Sequence, residues 1–335
     1  FKLSRQMKPD LVNRIFSISQ QTDFQAITLE IFKLQSEKNR VYRDFIGYLG
    51  IDPAAVKRPE DIPFLPAGFF RNHRVVTGSG SAKLVFGSSG TGGEMTSRHY
   101  IADPEIYEMS FQGGFQLFYG DPSEYFIAAL LPSYAERANS SLIYMARGLI
   151  GKSNCRYSGF YGKNIEELLE NIQEARAAKR KIILLGVSFA LLDLAEKYSP
   201  DLSGVIVMET GGMKGRRKEI IREELHAVLK KGFNVDKIHS EYGMTELLSQ
   251  AYSAGDGLFR CPPWMRILIR DPRDPLCLLE GTGQSGGINI IDLANIHSCS
   301  FIASDDLGRM EENGSFEVLG RFDSSDIRGC NLLME

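Results

Sequence analysis

The stretch KIILLGVSFALLDLA, residues 181–195, decides the fold class. It begins as a short apolar run of β type and continues directly into apolar residues at helical spacing. The run is shorter than the ~20 residues that a membrane-spanning helix needs, and it contains Asp193. A buried strand that leads straight into a helix is typical of a doubly wound α/β sheet.

The same alternation of strand and helix recurs on both sides of this stretch. Further strands are expected at residues 83–86, 125–131, 204–208 and 237–240, and further helices from Asp103, from about Ser140 and over residues 216–231. The repetition predicts a doubly wound α/β core over residues 61–260.

The two ends of the chain have a different pattern. Residues 1–60 form a helical N-terminal segment, with apolar positions at helical spacing until Gly50 and Pro53 stop them. Beyond Cys261, the runs WMRILIRDP, GGINIIDL and GSFEVLGR are separated by Gly, Asp and Asn turns. They predict a small antiparallel β subdomain over residues 261–329, followed by a tail at residues 330–335.

Composition excludes several classes of protein. The 335 residues include 39 Lys and Arg against 42 Asp and Glu, a net charge of -3, which argues against a general nucleic-acid or membrane-surface binder. Five cysteines without CxxC spacing fit neither a disulfide framework nor a zinc site, so a reducing, cytoplasmic setting is expected. We predict no membrane span, and residues 1–16 lack the pattern of a signal peptide.

A glycine-rich stretch, VFGSSGTGGEMTSRHY at residues 85–100, follows one of the predicted strands. Backbone N–H groups in such a loop can converge on a polyanion, and its hydroxyls add donors for phosphate oxygens. The alternative is a plain surface loop, since short glycine motifs often arise by chance. The stretch contains neither GxxxxGK[ST] nor GxGxxG, so it is not a standard P-loop or dinucleotide fingerprint.

A second motif, YGMTE at residues 242–246, follows the last predicted core strand. The Tyr242 ring beside Gly243 can stack on a purine, and the Thr245 hydroxyl with the Glu246 carboxylate can hold Mg²⁺ through hard oxygen ligands. The alternative is a capped helix start with an incidental tyrosine.

Together the two motifs resemble the phosphate loop and the adenine/Mg²⁺ motif of the adenylate-forming superfamily, which includes acyl-CoA synthetases and firefly luciferase. SDDLGR at residues 304–309, LGRFDSSDIRG at 319–329 and METGGMKGR at 208–216 resemble three further motifs in the same order. The resemblance implies the adenylate-forming N-terminal-domain fold, with ATP and Mg²⁺ as cofactors. It implies ATP contacts from Ser88, Ser89, Gly90, Thr91, Gly92, Gly93, Gly211, Gly212, Tyr242, Gly243, Asp306 and Arg321, a hinge role for Asp323, metal ligation by Thr245 and Glu246, and catalytic roles for Thr91, Thr245 and Glu246.

The sequence departs from the superfamily pattern in two places. The phosphate loop lacks its usual Pro-Lys and has residues 94–97, EMTS, instead, so that Arg98 or Lys214 would have to supply the cation. Members of the superfamily also continue past the hinge motif into a small C-terminal domain, whereas six residues follow Gly329. We therefore expect that small domain to be absent.

The missing domain and the ending IRGCNLL resemble a narrower family, the acyl-protein synthetases (LuxE). That resemblance implies an ATP-dependent, AMP-forming ligase that activates a carboxylic acid, expected to be a long-chain fatty acid. It further implies that Cys330 accepts the acyl group as an enzyme thioester, for delivery to a partner reductase or acyltransferase. Arg328 or Arg321 would raise the thiolate fraction of Cys330.

Two other functions stay open. In one, adenylation is followed by transfer to coenzyme A, a carrier protein or another acceptor, and Cys330 is a plain thiol near a frayed terminus. In the other, the chain is a non-catalytic nucleotide- or acyl-binding subunit. Cys155, Cys261, Cys277 and Cys299 are expected to be small core hydrophobes and His99 a satisfied structural histidine. Residues 111–120 are expected in the core, with an acyl tunnel as the alternative.

Overall fold

The computed structural model describes residues 3–88, 96–131, 139–162, 164–212 and 220–322. The α-helices are α1 (Leu3–Phe16), α2 (Gln21–Lys38), α3 (Arg40–Tyr48), α4 (Phe69–Asn72), α5 (Pro104–Tyr119), α6 (Ser141–Lys152), α7 (Ile165–Ala177), α8 (Ser188–Tyr198) and α9 (Arg222–Phe233). The strands are β1 (Leu65–Pro66), β2 (Leu84–Gly87), β3 (Arg98–Ile101), β4 (Tyr125–Leu130), β5 (Gly159–Phe160), β6 (Lys181–Val187), β7 (Ile206–Thr210), β8 (His239–Tyr242), β9 (Ala251–Ser253), β10 (Leu258–Phe259), β11 (Met265–Arg270), β12 (Ser285–Asp292), β13 (Phe301–Met310) and β14 (Phe316–Arg321).

The first sheet has the strand order β5-β4-β6-β7-β8-β9 and is parallel except for its edge strand β9. Every residue of β4 is buried, as is every residue of β6 after Lys181, because helices cover both faces. After β5 the chain crosses to the other side of β4 and then proceeds strand by strand to β8. The predicted doubly wound core is confirmed.

The second sheet has the order β10-β14-β13-β12-β11 and is antiparallel along this path. It confirms the antiparallel β structure that was predicted after residue 261. The sheet also includes β10, and β1, which pairs in parallel with β13 through Leu65 and Ile302. These two strands were not predicted from the sequence, because two residues are too few to show an alternating pattern.

The N-terminal helices α1 to α3 confirm the predicted helical segment, and α2 and α3 pack on the second sheet. The rings of Phe32 and Tyr42 lie 6.0 and 5.9 Å from that of Phe301 in β13. The buried Gln35 amide donates to the carbonyl oxygen of Asn295 at 3.0 Å and accepts from the backbone N–H of Ser300 at 2.9 Å. These contacts anchor the helices beside the segment that joins β12 to β13.

Two of the predicted helices have the expected starts and one does not. Asp103 and Ser140 directly precede α5 and α6, as predicted, and Ser140 Oγ accepts from the backbone N–H of Ile143. The helix predicted over residues 216–231 begins instead at Arg222, with the preceding Ile221 in extended conformation. Within the described part of the chain, no helix is both long and apolar enough to cross a membrane.

Replacement of Gly286 by alanine is expected to destabilise the second sheet. A Cβ atom there would collide with the carbonyl oxygen of Arg270 and lie 2.7 Å from Cγ2 of Ile269, on the paired strand β11. Overpacking of this kind costs about 1–3 kcal/mol. Urea unfolding measures the loss, with Gly80→Ala as the control because a Cβ atom at Gly80 meets nothing within 4 Å. Equal stability of the two variants would contradict the prediction.

Candidate functional site

The stem of the glycine-rich hairpin is formed by β2 and β3, which pair from Leu84–Ile101 to Gly87–Arg98. One step further, the backbone N–H of Ser88 donates to Ser97 O at 3.1 Å, and the N–H of Ser97 donates to Ser88 Oγ at 2.9 Å. Ser88 therefore lies at the base of the loop with its backbone N–H already paired, and its predicted phosphate contact stays a prediction. The predicted phosphate contacts of Ser89, Gly90, Thr91, Gly92 and Gly93 lie outside the described residues and stay predictions.

Tyr242, Asp306 and Arg321 come together although three different strands carry them. The Tyr242 hydroxyl donates to Asp306 Oδ2 at 2.8 Å, and Arg321 Nε donates to Asp306 Oδ1 at 3.2 Å. Tyr242 and Asp306 are buried, and burial raises the pKa of Tyr242 well above its ordinary value, with the Asp306 charge adding to the effect. A buried, doubly anchored carboxylate has lone pairs left to accept hydrogen bonds from a ligand hydroxyl.

Gly243 lies beside a buried acid that the sequence analysis did not identify. An added Cβ at Gly243 would be 2.5 Å from Glu241 Oε1 and 3.5 Å from Cγ of Gln250. Glu241 accepts a hydrogen bond from the Thr210 hydroxyl on the neighbouring strand β7. A larger residue at this position would displace the end of the Glu241 side chain and disturb its hydrogen bond with Thr210.

Thr245 and Glu246 lie in a turn between β8 and β9, so the alternative of a capped helix start is wrong. The Thr245 carbonyl accepts a hydrogen bond from His99 Nδ1 at 2.9 Å, and the Glu246 carbonyl accepts one from Asn295 Nδ2 at 2.8 Å. Glu246 is 7 % exposed. Burial raises the pKa of its carboxyl, and a hydrogen bond from the Ser97 side chain opposes that rise.

The Thr245–Glu246 turn fits Mg²⁺ by the chemistry of its donors. A carboxylate and a hydroxyl are hard oxygen ligands, and Mg²⁺ is usually held by one or two carboxylates together with substrate phosphates. Among the described residues, no group of three or more His, Cys, Asp or Glu side chains is arranged to hold a metal on its own. This donor set suits a cation that arrives with a phosphate ligand.

Gly211 and Gly212 are exposed at the carboxyl end of β7, on the same sheet edge as the YGMTE motif. Gly211 has φ +67°, which favours glycine, and Ser188 Oγ lies 2.7 Å from its carbonyl oxygen.

On β7, two residues before Gly211, the buried Glu209 carboxylate lies 3.4 Å from Arg222 Nε and 3.6 Å from His226 Nε2. Arg222 also donates to Val318 O on β14 at 2.7 Å, which connects the first sheet to the second.

Glu209→Gln is expected to destabilise the protein by about 1–3 kcal/mol at neutral pH, the usual contribution of hydrogen bonds to a charged group. Burial alone would raise the pKa of Glu209, but the hydrogen bond from His226 and the charge of Arg222 lower it below 4.5. A carboxylate with a lowered pKa stabilises the fold above its unfolded pKa, and this contribution is lost as pH falls through the folded pKa. Urea unfolding at several pH values should therefore show the two proteins converging below pH ~4.5.

Other predicted residues have mixed outcomes. Cys299 is buried as expected, and burial raises the pKa of its thiol to about 12, but Cys277 is exposed and is no core residue. It lies in the exposed stretch of residues 272–277, in the connection between β11 and β12. Phe111 and Phe115 on α5 are in the core, as expected for this segment. Cys330, together with Lys214, Asp323 and Arg328, lies outside the described residues.

Four residues of the site were not identified as site residues in the sequence: Ser97, His99, Glu241 and Asn295. His99 belongs to the glycine-rich stretch, but the Thr245 carbonyl that it contacts is far away in sequence. One further pattern was overlooked: GTGQSG at residues 281–286 fits GxGxxG. It connects the antiparallel strands β11 and β12 and opens no helix, so it is not a dinucleotide fingerprint.

The chain is similar in structure to adenylate-forming enzymes. A luciferase-like enzyme from the mealworm Zophobas morio matches 73% of this chain with 16% identity and a TM-score of 0.51. A long-chain-fatty-acid-CoA ligase from Archaeoglobus fulgidus matches 75% with 17% identity and a TM-score of 0.53. The match covers 58% and 53% of those two proteins, a little over half of their length.

No protein-family model matches the sequence, and no curated protein resembles it significantly. The structural similarity establishes the fold, which is that of the N-terminal domain of adenylate-forming enzymes, as the sequence motifs predicted. With sequence identities of 16% and 17%, the structural similarity identifies neither the substrate nor the acyl acceptor.

Proposed function

We propose that the protein uses ATP and Mg²⁺ to activate a carboxylic acid as an acyl-adenylate, with release of pyrophosphate. The observation that carries the proposal is the convergence of Tyr242, Asp306 and Arg321 next to the Thr245–Glu246 turn. Tyr242 and the turn lie at the carboxyl end of the parallel strand β8, where open α/β sheets bind ligands, and the antiparallel strands β13 and β14 bring Asp306 and Arg321 to it.

In the proposed reaction, a carboxylate oxygen of the acid forms a bond to the α-phosphorus of ATP, and the bond from that phosphorus to the pyrophosphate oxygen breaks. The acid needs no general base because a carboxyl with an ordinary pKa is already ionised at pH 7. Catalysis of such a transfer depends mainly on positioning and on neutralising charge. The bound Mg²⁺ would supply charge neutralisation at the phosphates.

Different residues of this chain would contact different parts of the nucleotide. Asp306 would accept hydrogen bonds from the ribose hydroxyls, with Tyr242 and Arg321 keeping its carboxylate oriented. Thr245 and Glu246 would hold Mg²⁺, and the loop that starts at Ser88 would donate N–H groups to the phosphates. Gly211 and Gly212 would leave space for the adenine ring beside β7.

The proposal includes a second step, transfer to the Cys330 thiolate. The sulfur would attack the acyl carbonyl carbon, a thioester would form, and AMP would leave with the oxygen it shared with the acyl group. A thiolate is intrinsically a strong nucleophile, and a reducing cytoplasm would keep Cys330 available. We propose a long-chain fatty acid as the substrate and an acyl reductase or acyltransferase as the recipient.

The test is acid-dependent exchange of labelled pyrophosphate into ATP, measured with fatty, aromatic and short aliphatic acids. The proposal predicts exchange that requires both Mg²⁺ and an acid. Calorimetric binding of MgATP without exchange for any acid would instead support a non-catalytic nucleotide-binding subunit. Absence of both binding and exchange would overturn the assignment of the site.

A further inference from the structure

Strand β13 bulges away from β12 at the place where it carries Asp306. Two register pairs of these strands enclose the bulge: Asn289 with Ala303, and Gly287 with Leu307. Between them, residues 304–306 of β13 lie opposite Ile288 alone. A bulge redirects the side chains of its strand, and bulges are common next to functional sites. The conformation of residues 304–306 therefore determines the direction in which the Asp306 carboxylate points.

The side chain of Arg270 reaches this bulge from β11, across the intervening strand β12. Its guanidinium donates to Ile288 O at 2.8 Å through Nη1 and to Ser304 O at 2.6 Å through Nη2. A third hydrogen bond, from Nη1, goes to Asn289 Oδ1 at 3.0 Å. The guanidinium lies over Gly287, where an added Cβ atom would be 2.4 Å from Cζ. The missing side chain of Gly287 thus leaves the space through which a residue of β11 contacts β13.

Ser304 connects this guanidinium to Asp306. Ser304 Oγ accepts from the backbone N–H of Asp306 at 3.2 Å and donates to Ile288 O at 3.0 Å. Ile288 O therefore accepts hydrogen bonds from both Arg270 and Ser304. These bonds take the place of the regular ladder bonds that a bulge interrupts. A side chain two strands away from Asp306 thus helps to fix the backbone on which Asp306 is carried.

Arg270 also contacts the chain directly after β14, the strand that carries Arg321. Its Cζ atom lies 5.4 Å from the centre of the Phe322 ring. The backbone N–H of Phe322 in turn donates to Asp305 O, inside the bulge, at 2.8 Å. One side chain on β11 therefore holds both of the strands that supply the Asp306–Arg321 pair.

We propose that Arg270 is a positioning residue for nucleotide binding: it holds the bulge in the conformation in which Asp306 can accept hydrogen bonds from the ribose hydroxyls. A guanidinium that is 8 % exposed is costly to bury, and an apolar side chain would fill the space without that cost. The planar fork, which bonds carbonyl groups on two strands at once, is what an apolar side chain lacks. The inference rests on the proposed adenylation function. In that function Arg270 touches no reacting atom and acts only through the bulge.

The experiment compares calorimetric binding of ATP and of 2′,3′-dideoxy-ATP, each with Mg²⁺, in the original protein, Arg270→Met and Arg270→Lys. The original protein should bind ATP about tenfold more tightly, the factor expected for a well-placed hydrogen bond between a ribose hydroxyl and a carboxylate. Arg270→Met should weaken ATP binding about tenfold and dideoxy-ATP binding hardly at all, so that the preference disappears. Lysine keeps the charge but lacks the planar fork, so Arg270→Lys should lose most of the preference as well.

Arg273→Met is the matched control, because Arg273 is exposed in the connection that follows β11. It should leave both affinities unchanged. A merely structural defect in Arg270→Met would weaken binding of the two nucleotides equally, and that result would overturn the proposal. If Arg270→Met does not fold, Ser304→Ala decides, because it removes the hydroxyl that accepts from the Asp306 N–H. An unchanged preference for ATP in Ser304→Ala would then overturn the proposal.

A double-mutant cycle locates the effect at Asp306. Arg270→Met should not weaken ATP binding any further in an Asp306→Asn background, whereas additive losses would overturn the coupling and leave the proposed function intact. Failure of the proposed function is recognised separately. The original protein would then show no pyrophosphate exchange with any acid, while its preference for ATP over dideoxy-ATP would still be measured by binding. Absence of binding of either nucleotide would overturn both.

Discussion

Glu246→Gln is expected to reduce acid-dependent ATP–pyrophosphate exchange by about 10²–10³-fold, the usual loss when one group that stabilises charge in the transition state is removed. Glutamine has nearly the same shape but no charge, so it should retain the buried position and lose the ability to hold Mg²⁺. Because burial already disfavours the ionised carboxyl, the uncharged side chain should not destabilise the fold. Exchange is measured at saturating and limiting Mg²⁺, together with the thermal unfolding temperature.

Glu312→Gln is the matched control for this variant, since Glu312 is exposed on the turn between β13 and β14. It should exchange pyrophosphate like the original protein. If Glu246→Gln retained more than about a tenth of the activity at limiting Mg²⁺, the loss would correspond to less than one factor of ten in rate and Glu246 would not be the metal ligand.

Cys330→Ser is expected to abolish the acyl-enzyme thioester completely while leaving pyrophosphate exchange unchanged. Adenylation and thioester formation use different residues in the proposed mechanism, and a serine hydroxyl is a far weaker nucleophile than a thiolate at neutral pH. Intact-protein mass spectrometry after incubation with ATP, Mg²⁺ and the best acid shows whether the acyl adduct forms. Hydroxylamine treatment identifies it as a thioester.

Cys277→Ser provides the control, because Cys277 is an exposed thiol outside the site. It should acquire the same acyl adduct as the original protein. If the Cys330→Ser protein still transferred acyl groups to coenzyme A or a carrier protein at the original rate, Cys330 would be a bystander. The alternative of adenylation with an external acceptor would then be the better description.

The fold could be predicted because its decisive signals are local. Residues 181–195 contain a strand and the following helix without interruption, and this local pattern recurs along the chain, so a doubly wound sheet follows without any knowledge of distant contacts. Strands β3, β5 and β9 were not predicted either, and β1 and β10 show the physical reason most clearly. Each of these two strands is only two residues long, and it has strand geometry only because it pairs with β13 or with β14.

The candidate site was predictable only where a motif supplied long-range information. Resemblance to known motifs placed Tyr242, Asp306 and Arg321 in one site, and the structure brings them into contact. Glu241 and Asn295 had no such signal. Glu241 could be identified only from the structure, where its side chain lies against the backbone of Gly243. Asn295 contacts Glu246 from 49 positions away in the sequence. The roles of the loop glycines and of Cys330 stay predictions.

The hydrogen bond from Tyr242 to Asp306 has a consequence for the integrity of the protein. The two partners belong to different sheets, so neither half of the chain contains all of the residues that are proposed to hold the nucleotide. A nucleotide bound between the two sheets would stabilise the folded protein. The melting temperature should then rise in proportion to the logarithm of the nucleotide concentration once the site is saturated. If the chain were cut in the exposed connection between β11 and β12, nucleotide affinity should vanish from each fragment and return only when the fragments reassociate.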